Sequence, residues 1–309
     1  MSRKTYFDRE LECQYVFDQF GPFYHLFTPG EETGDIFLDQ SVKVFGLNLL
    51  GICSLSTKDF KVVAYSEMTD HLHVLYAGKE KSGNTFFSSY FQRLRRILGS
   101  SNSLAGFKPK ILPLPDLRAV RSEIAYINRN GYVTNPDHTP FSYPWGSGIL
   151  YFNPFYDRIP TRPFSSLTRD EKRVICRSRD INLPPGFSVI GNLIAPSEYC
   201  HARDIGMSLF RDAHHYFNLL SKDYEAYSAV AKRLGESVFI PDEEMFSVAR
   251  SVCVKKYGVN APSLLKPDER IDLAKILHSE YNANAKQLSR ILKLDKRIVN
   301  ELFPTMIEK

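Results

Sequence analysis

Two β-rich runs lie only three residues apart: residues 60–67 (FKVVAYSE) and 71–77 (HLHVLYA), split by Met68-Thr69-Asp70. Runs dense in Val, Tyr and Phe favour extended backbone, and so short a link joins neighbouring strands only as an antiparallel hairpin. The flanking segments build outward from that hairpin. Residues 22–30 (PFYHLFTPG) are a short aromatic strand stopped by Pro-Gly, and residues 35–56 carry the apolar density of a helix packed on a sheet. Residues 84–98 form an amphipathic helix with Phe87, Phe91, Leu94 and Leu98 on one face. Residues 108–114 read as a strand, and Asp116 caps a helix that runs to Asn130 and ends at Gly131. The order β-α-β-β-α-β-α is the split-βαβ pattern of ferredoxin-like domains with one extra helix. The expected fold class is therefore α+β, with an antiparallel sheet followed by a mainly helical C-terminal region.

The chain has 309 residues, which suggests two domains or three. Residues 1–150 form the first. Residues 151–196, with Pro154, Pro160, Pro163, Pro184, Pro185 and Pro196, read as a connector. Residues 197–309 read as helical. Within them, 268–303 give three short helices with Leu288, Ile291, Leu292, Ile298, Val299 and Leu302 as shared core. A turn after Leu294 and a cap at Asp295 suit a helix-turn-helix, and equally a small helical bundle.

Five scattered cysteines without CxxC spacing argue against a disulfide scaffold or a cysteine zinc cluster. The start MSRKTYFDRE lacks the apolar core of a signal peptide, and no stretch has the length of a membrane span. The expectation is a soluble, cytoplasmic, nucleoid-associated protein without a membrane partner. Charge is uneven. Residues 1–80 hold seven Lys/Arg against twelve Asp/Glu, whereas 81–130 hold nine against two. That excess is either a solvated basic face or a footprint for a phosphate backbone. Aromatic residues make up 13% of the chain, 17 of them tyrosines, so packing has to be weighed against chemistry at each one.

His71-Leu72-His73 concentrates the chemistry. Side chains on a strand alternate faces, so both imidazoles leave the sheet together and form half of a divalent-metal site, or an incidental pair. Tyr126 and Asn130 are four apart on one helix face. If that face covers the histidines, Asn130 can supply a third ligand, and Tyr126 presents a phenol beside the metal; otherwise they are a core aromatic and a helix end. His₂-Asn suits Mg²⁺ or Mn²⁺.

With these pieces in place the sequence resembles the HUH single-strand DNA transposases of the IS200-like superfamily, in particular the REP-associated tyrosine transposases. The matching pieces run in family order over residues 20–147: FYHLFTPG, AYSEMTDHLHVLYAG, FFSSYFQRLRRIL, YINRNGYV and YPWGS. The resemblance implies His71 and His73 as metal ligands, Tyr126 as nucleophile and Asn130 as third ligand. It departs at Asp70 and Gly131, where the family often has Asn and Pro. The implied activity is cleavage and rejoining of single-stranded or hairpin DNA through a 5′-phosphotyrosine. Arg93, Arg95, Arg96, Lys108, Lys110, Arg121 and Arg129 are the basic residues expected to hold DNA. Relatives of both monomeric and homodimeric kinds leave the oligomeric state open. A different class of function is a non-catalytic DNA-binding regulator with a helix-turn-helix at its C-terminus.

Overall fold

Helix α1 (Tyr6–Phe20) leads into β1 (Phe23–Phe27), followed by α2 (Gln40–Ser56), β2 (Phe60–Glu67), β3 (Leu72–Gly78), α3 (Glu80–Leu98), β4 (Lys110–Leu114) and α4 (Leu117–Val133) in the computed structural model. The structure describes residues 6–30, 33–99, 104, 107–133, 138–139, 141–178, 183–222, 242–281 and 283–303. The chain divides into two units, Met1–Val230 and Ala231–Lys309. Parts of the region expected to be helical, residues 223–241 and 304–309, lie outside the described residues.

In the first unit the four strands form one antiparallel sheet in the order β2-β3-β1-β4. The expected hairpin is β2–β3. Strand β1 inserts beside β3, with Phe27 opposite His73 and His25 opposite Leu75. The register of β2 shifts between Val62 and Ala64. After that shift Tyr65 and Glu67 share a face with Leu72 and Val74, while Ser66 shares the other with His73.

Helices α2 and α3 cover the first of these faces. Phe60 stacks on Tyr76 and on Phe86 of α3, with centroids 4.3 and 4.4 Å apart, and the rings of Phe87 and Phe107 lie 5.6 Å apart. Helix α4 covers the opposite face, with Val120, Ile124 and Ile127 fully buried. The aromatic excess is therefore largely packing. Burial, with a smaller contribution from neighbouring ionisable groups, pushes the phenols of Tyr65, Tyr90 and Tyr151 well above the ordinary tyrosine range.

Three sequence expectations change. Helix α1 was not anticipated; its Glu10 carboxylate accepts from Arg121 of α4 at 2.6 Å, which ties the two helices. Residues 151–196 are not a bare connector. They hold β5 (Arg162–Pro163), α5 (Arg169–Cys176), β6 (Ser188–Ile190) and β7 (Leu193–Ile194), with the three strands in a small antiparallel sheet. Buried Asn48 of α2 anchors this segment: its amide donates to Asn192 O and accepts from Ile194 N, both at 2.8 Å. Further on, the Tyr151 hydroxyl donates to Val63 O and His201 N donates to Val62 O. Apolar Ile175, Val189 and Ile194 are buried with it, so the unit continues past residue 150. The proline content was misleading because proline also shapes short edge strands and tight turns.

The third change concerns Gly131, which does not end α4; the helix continues to Val133. The glycine is needed for space. A Cβ there would lie 2.1 Å from Cδ1 of Tyr143, whose hydroxyl donates to Glu67 O at 2.8 Å. The YPWGS motif is held on β2 by this bond, by Glu67 N donating to Trp145 O, and by Ser147 Oγ, which accepts from Tyr65 N and donates to Asn128.

All five cysteines are buried and none is bridged to another. Among the described residues no helix is long and apolar enough to cross a membrane. In the second unit the described elements are helical: α6 (Ala213–Lys222) closes the described part of the first unit, and then come α7 (Asp242–Val252), α8 (Pro267–Tyr281), α9 (Ala285–Leu292) and α10 (Lys296–Leu302).

Gly131→Ala tests the packing argument, since alanine is the better helix former by about 1 kcal/mol. Overpacking against Tyr143 outweighs this, and the expected net loss is about 1–3 kcal/mol, read from the urea midpoint. An unchanged or raised midpoint contradicts the account.

Candidate active site

His73 on β3 and His71, just ahead of it, lie on the same side, as extended i, i+2 spacing requires, while Leu72 is buried on the other. Their ring centroids are 4.8 Å apart in an edge-on arrangement. Above them α4 presents a stripe at i, i+3 and i+7: Glu123, Tyr126 and Asn130. The Tyr126 ring stands edge-on to His73 with centroids 5.6 Å apart, and Asn130 Nδ2 lies 3.3 Å from His73 Nε2. The four residues singled out in sequence are thus neighbours in space. Tyr126, at 3% exposure, is covered in this state, whereas His71 is partly open.

Two participants were missed. His25 of β1 and Glu123 of α4 are fully buried beside His73. His25 Nε2 lies 3.0 Å from His73 Nδ1, and His25 Nδ1 lies 2.7 Å from the Glu123 carboxylate. One proton arrangement suits these distances: His73 Nδ1–H donates to His25 Nε2, and His25 Nδ1 faces the Glu123 carboxylate in a close polar contact. It leaves the Nε2 lone pair of His73 directed toward Asn130. His71 is arranged likewise, with Nδ1 against Asp70 Oδ1 at 2.5 Å and Nε2 left over. Both imidazoles therefore have Nδ1 occupied by a partner that ends in a carboxylate. This is the outer-shell pattern that fixes the tautomer of a metal-ligating histidine. The signal for Glu123 lay in its position one turn before Tyr126; that for His25 lay in the alternation Phe23, His25, Phe27.

The donor set available to a divalent cation is two imidazole nitrogens and the Asn130 amide. No group of three His, Cys, Asp or Glu side chains among the described residues is arranged to hold a metal ion. A cation placed between these side chains would meet two imidazole nitrogens and the Asn130 amide oxygen, a mixed nitrogen–oxygen set.

Burial, followed by the neighbouring imidazoles of His71 and His25, holds His73 well below the ordinary histidine range, which favours the neutral imidazole at pH 7. Burial works against the Asp70 carboxylate, yet its bond to His71 and the nearby charges of His71 and Lys43 keep it below its ordinary value. Gly30 gives Asp70 and His71 room, since a Cβ there would meet Asp70 Oδ2 at 2.7 Å and His71 Nδ1 at 2.9 Å.

The basic residues separate by layer. Lys110 lies on β4 opposite Phe27, which is itself opposite His73, so it shares the site's face two strands away. Lys108 is exposed just ahead of that strand. Arg93, Arg95 and Arg96 sit on α3, in the layer behind the sheet, with Arg95 and Arg96 exposed. Arg121 and Arg129 correct the expectation that they hold DNA, because both are turned inward. Arg121 binds Glu10 and Leu209 O, and Arg129 Nη1 donates to Leu220 O. Their place on the inner sides of α4 explains this; local charge density could not reveal it.

Comparison with family models, curated proteins and solved structures found no match for this chain.

His73 also sets a pH dependence. Its folded pKa is depressed, so the unfolded chain binds the proton more readily; stability is present above about pH 6.5 and lost as pH falls below it. His215, held down to about 4 by burial first and then by Arg211 and Arg121, acts in the same direction. Urea midpoints measured from pH 7 to pH 5 should fall, and His73→Gln should flatten that fall without abolishing it. Equal slopes for the two proteins would contradict the assignment.

Proposed function

We propose that the first unit is a metal-dependent tyrosine nuclease and strand transferase acting on single-stranded, hairpin-bearing DNA. The observation that carries this reading is the convergence of Tyr126 and Asn130 of α4 on His73 of β3, with His71, just ahead of that strand, beside it. Support comes also from the topology. Four antiparallel strands in the order β2-β3-β1-β4, with α2 and α3 as the two crossovers, match the ferredoxin-like arrangement expected of an HUH domain.

His71, His73 and Asn130 would hold Mg²⁺ or Mn²⁺, which when bound polarises a non-bridging oxygen of the scissile phosphate. Tyr126 attacks phosphorus through its phenol oxygen and gives up its proton. The bond from phosphorus to the 3′-oxygen breaks, and that oxygen leaves as a 3′-hydroxyl after taking a proton. The product is a 5′-phosphotyrosine. One phosphodiester replaces another, so a 3′-hydroxyl can reverse the step, which favours strand transfer over hydrolysis. The His25–Glu123 pair keeps His73 in the tautomer that offers Nε2. Lys108 and Lys110 are the basic residues best placed to track the backbone on the site's face. Tyr126 is covered, so the reading requires its cover to open when DNA binds.

That same burial favours a second reading, in which Tyr126 is a core aromatic and the protein binds DNA without cutting it. One experiment decides between them. Single-stranded hairpin oligonucleotides are incubated with the protein and Mn²⁺ or Mg²⁺, and covalent adducts are resolved on a denaturing gel. The expected adduct is absent in Tyr126→Phe and reduced at least a hundredfold in His71→Ala, with circular dichroism unchanged. An adduct persisting in Tyr126→Phe, or none on any hairpin, overturns the mechanism.

Glu123→Gln separates positioning from folding. It keeps a polar group beside His25 but removes the charge, and it should raise the Mn²⁺ concentration needed for half-maximal adduct by about tenfold to a hundredfold. An unchanged metal requirement removes the role given to the buried pair.

A further inference from the structure

We infer that the second unit carries a separate site for double-stranded DNA, read through the outer face of α10. The supersecondary geometry comes first. Helix α9 has eight residues, three residues form the turn, and α10 has seven. Asn284 and Gln287 cap α9 reciprocally, with bonds of 2.9 and 3.2 Å. Lys293 ends that helix in the left-handed region (φ 50°), and the Asp295 side chain opens α10 by accepting from Arg297 N at 2.8 Å. Both ends of the turn are therefore fixed by local chemistry.

Burial then sets the orientation. Leu273, Ala274 and Leu277 of α8, Leu288 and Leu292 of α9, and Val299 of α10 are buried to 1% exposure or less. With Val299 inward, α10 turns Lys296, Arg297, Ile298 and Glu301 outward, and Asn300 is half-buried on the same flank. Lys296, Arg297, Asn300 and Glu301 stand at i, i+1, i+4 and i+5, one helical face.

The positive charge around this face is only partly used among the described residues. Between residues 286 and 297 there are five basic residues against Asp295 alone. Arg290 is committed to Asp242, at 2.9 Å. Lys286, Lys293, Lys296 and Arg297 are exposed and make no ion pair among the described residues. An unneutralised cluster of this kind repels itself, and a polyanion relieves the repulsion.

The form of the polyanion follows from shape and chemistry. Seven residues make a rod about 10 Å long, which enters a B-form major groove about 12 Å wide. A-form RNA closes that groove to a helix. Single strands are held by exposed aromatic platforms, and α9 and α10 have no aromatic residue. Lys286 and Lys293, at the start and end of α9, suit phosphates. Arg297 suits guanine O6 and N7, and Glu301 suits the cytosine amino group. The duplex site is distinct from the Tyr126 centre and does not depend on it.

The test uses the full chain and a pool of 30-base-pair duplexes with a randomised centre, selected by mobility shift without added metal. The expected result is enrichment of a defined sequence. Arg297→Ala should bind the selected duplex about 5–150-fold more weakly and lose preference at one base pair. Lys286→Ala should weaken all duplexes alike and lower the slope of log affinity against log salt by about one. Tyr126→Phe should enrich the same sequence as wild type. Failure to enrich any sequence, wild-type behaviour of both Arg297→Ala and Lys286→Ala, or equal binding of an RNA duplex overturns the inference. No single strand or metal enters this selection, so its outcome and that of the hairpin adduct experiment are independent.

Discussion

The pairing of β1 with β3 is the constraint on which the rest of the first unit depends. It joins segments more than forty residues apart and places Phe27 opposite His73 at the centre of the sheet. The alternation of strand side chains then sends His25 and His73 to the same face, where their ring nitrogens meet at 3.0 Å. Two buried imidazoles between the sheet and α4 would be costly if left unsatisfied. Helix α4 answers that requirement by bringing Glu123 to one end of the pair and Asn130 to the other. The polar chain crossing the sheet–helix interface orients α4, and with α4 oriented Tyr126 has to stand beside His73.

This arrangement also explains what surrounds α4. Its inner sides are occupied by structural contacts: Asn128 with Tyr216 and Ser147, Arg121 with Glu10, and Arg129 with the carbonyl of Leu220. Gly131 is left bare so that Tyr143 can lie against the helix while bonded to β2. A helix that carries the proposed nucleophile is thus braced from α1, α6 and the YPWGS segment. Residues whose charge or spacing suggested ligand binding are used as braces. The proposed chemistry rests on four side chains beside these braces: Tyr126, Asn130, His71 and His73.

How much of this was legible in the chain varies with the distance over which each signal acts. The β2–β3 hairpin, the amphipathic α3, the cap at Asp116 and the shared faces of His71/His73 and Tyr126/Asn130 are local, governed by periods of 2 and 3.6, and the structure has them. The end of α4 is not legible locally, because Gly131 reads as a stop whereas its smallness serves a ring twelve residues later. Residues 151–196 read as a connector from their proline density, but the buried apolar residues among them pack into the first unit. Asn48, a polar residue inside the apolar α2, anchors that segment through three backbone groups.

By itself the sequence determined the elements from β1 to α4, their alternation, and which side chains leave a given strand or helix on the same side, because backbone geometry fixes those relations within a few residues. Only the tertiary structure decided that His25 lies beside His73 and that Glu123 closes the pair. It also decided that Arg121 and Arg129 turn inward while Lys110 stays on the face of the site. Each of these facts depends on which strands become neighbours and which helix covers them. That choice is made by burial summed over the whole sheet, and no local spacing encodes it.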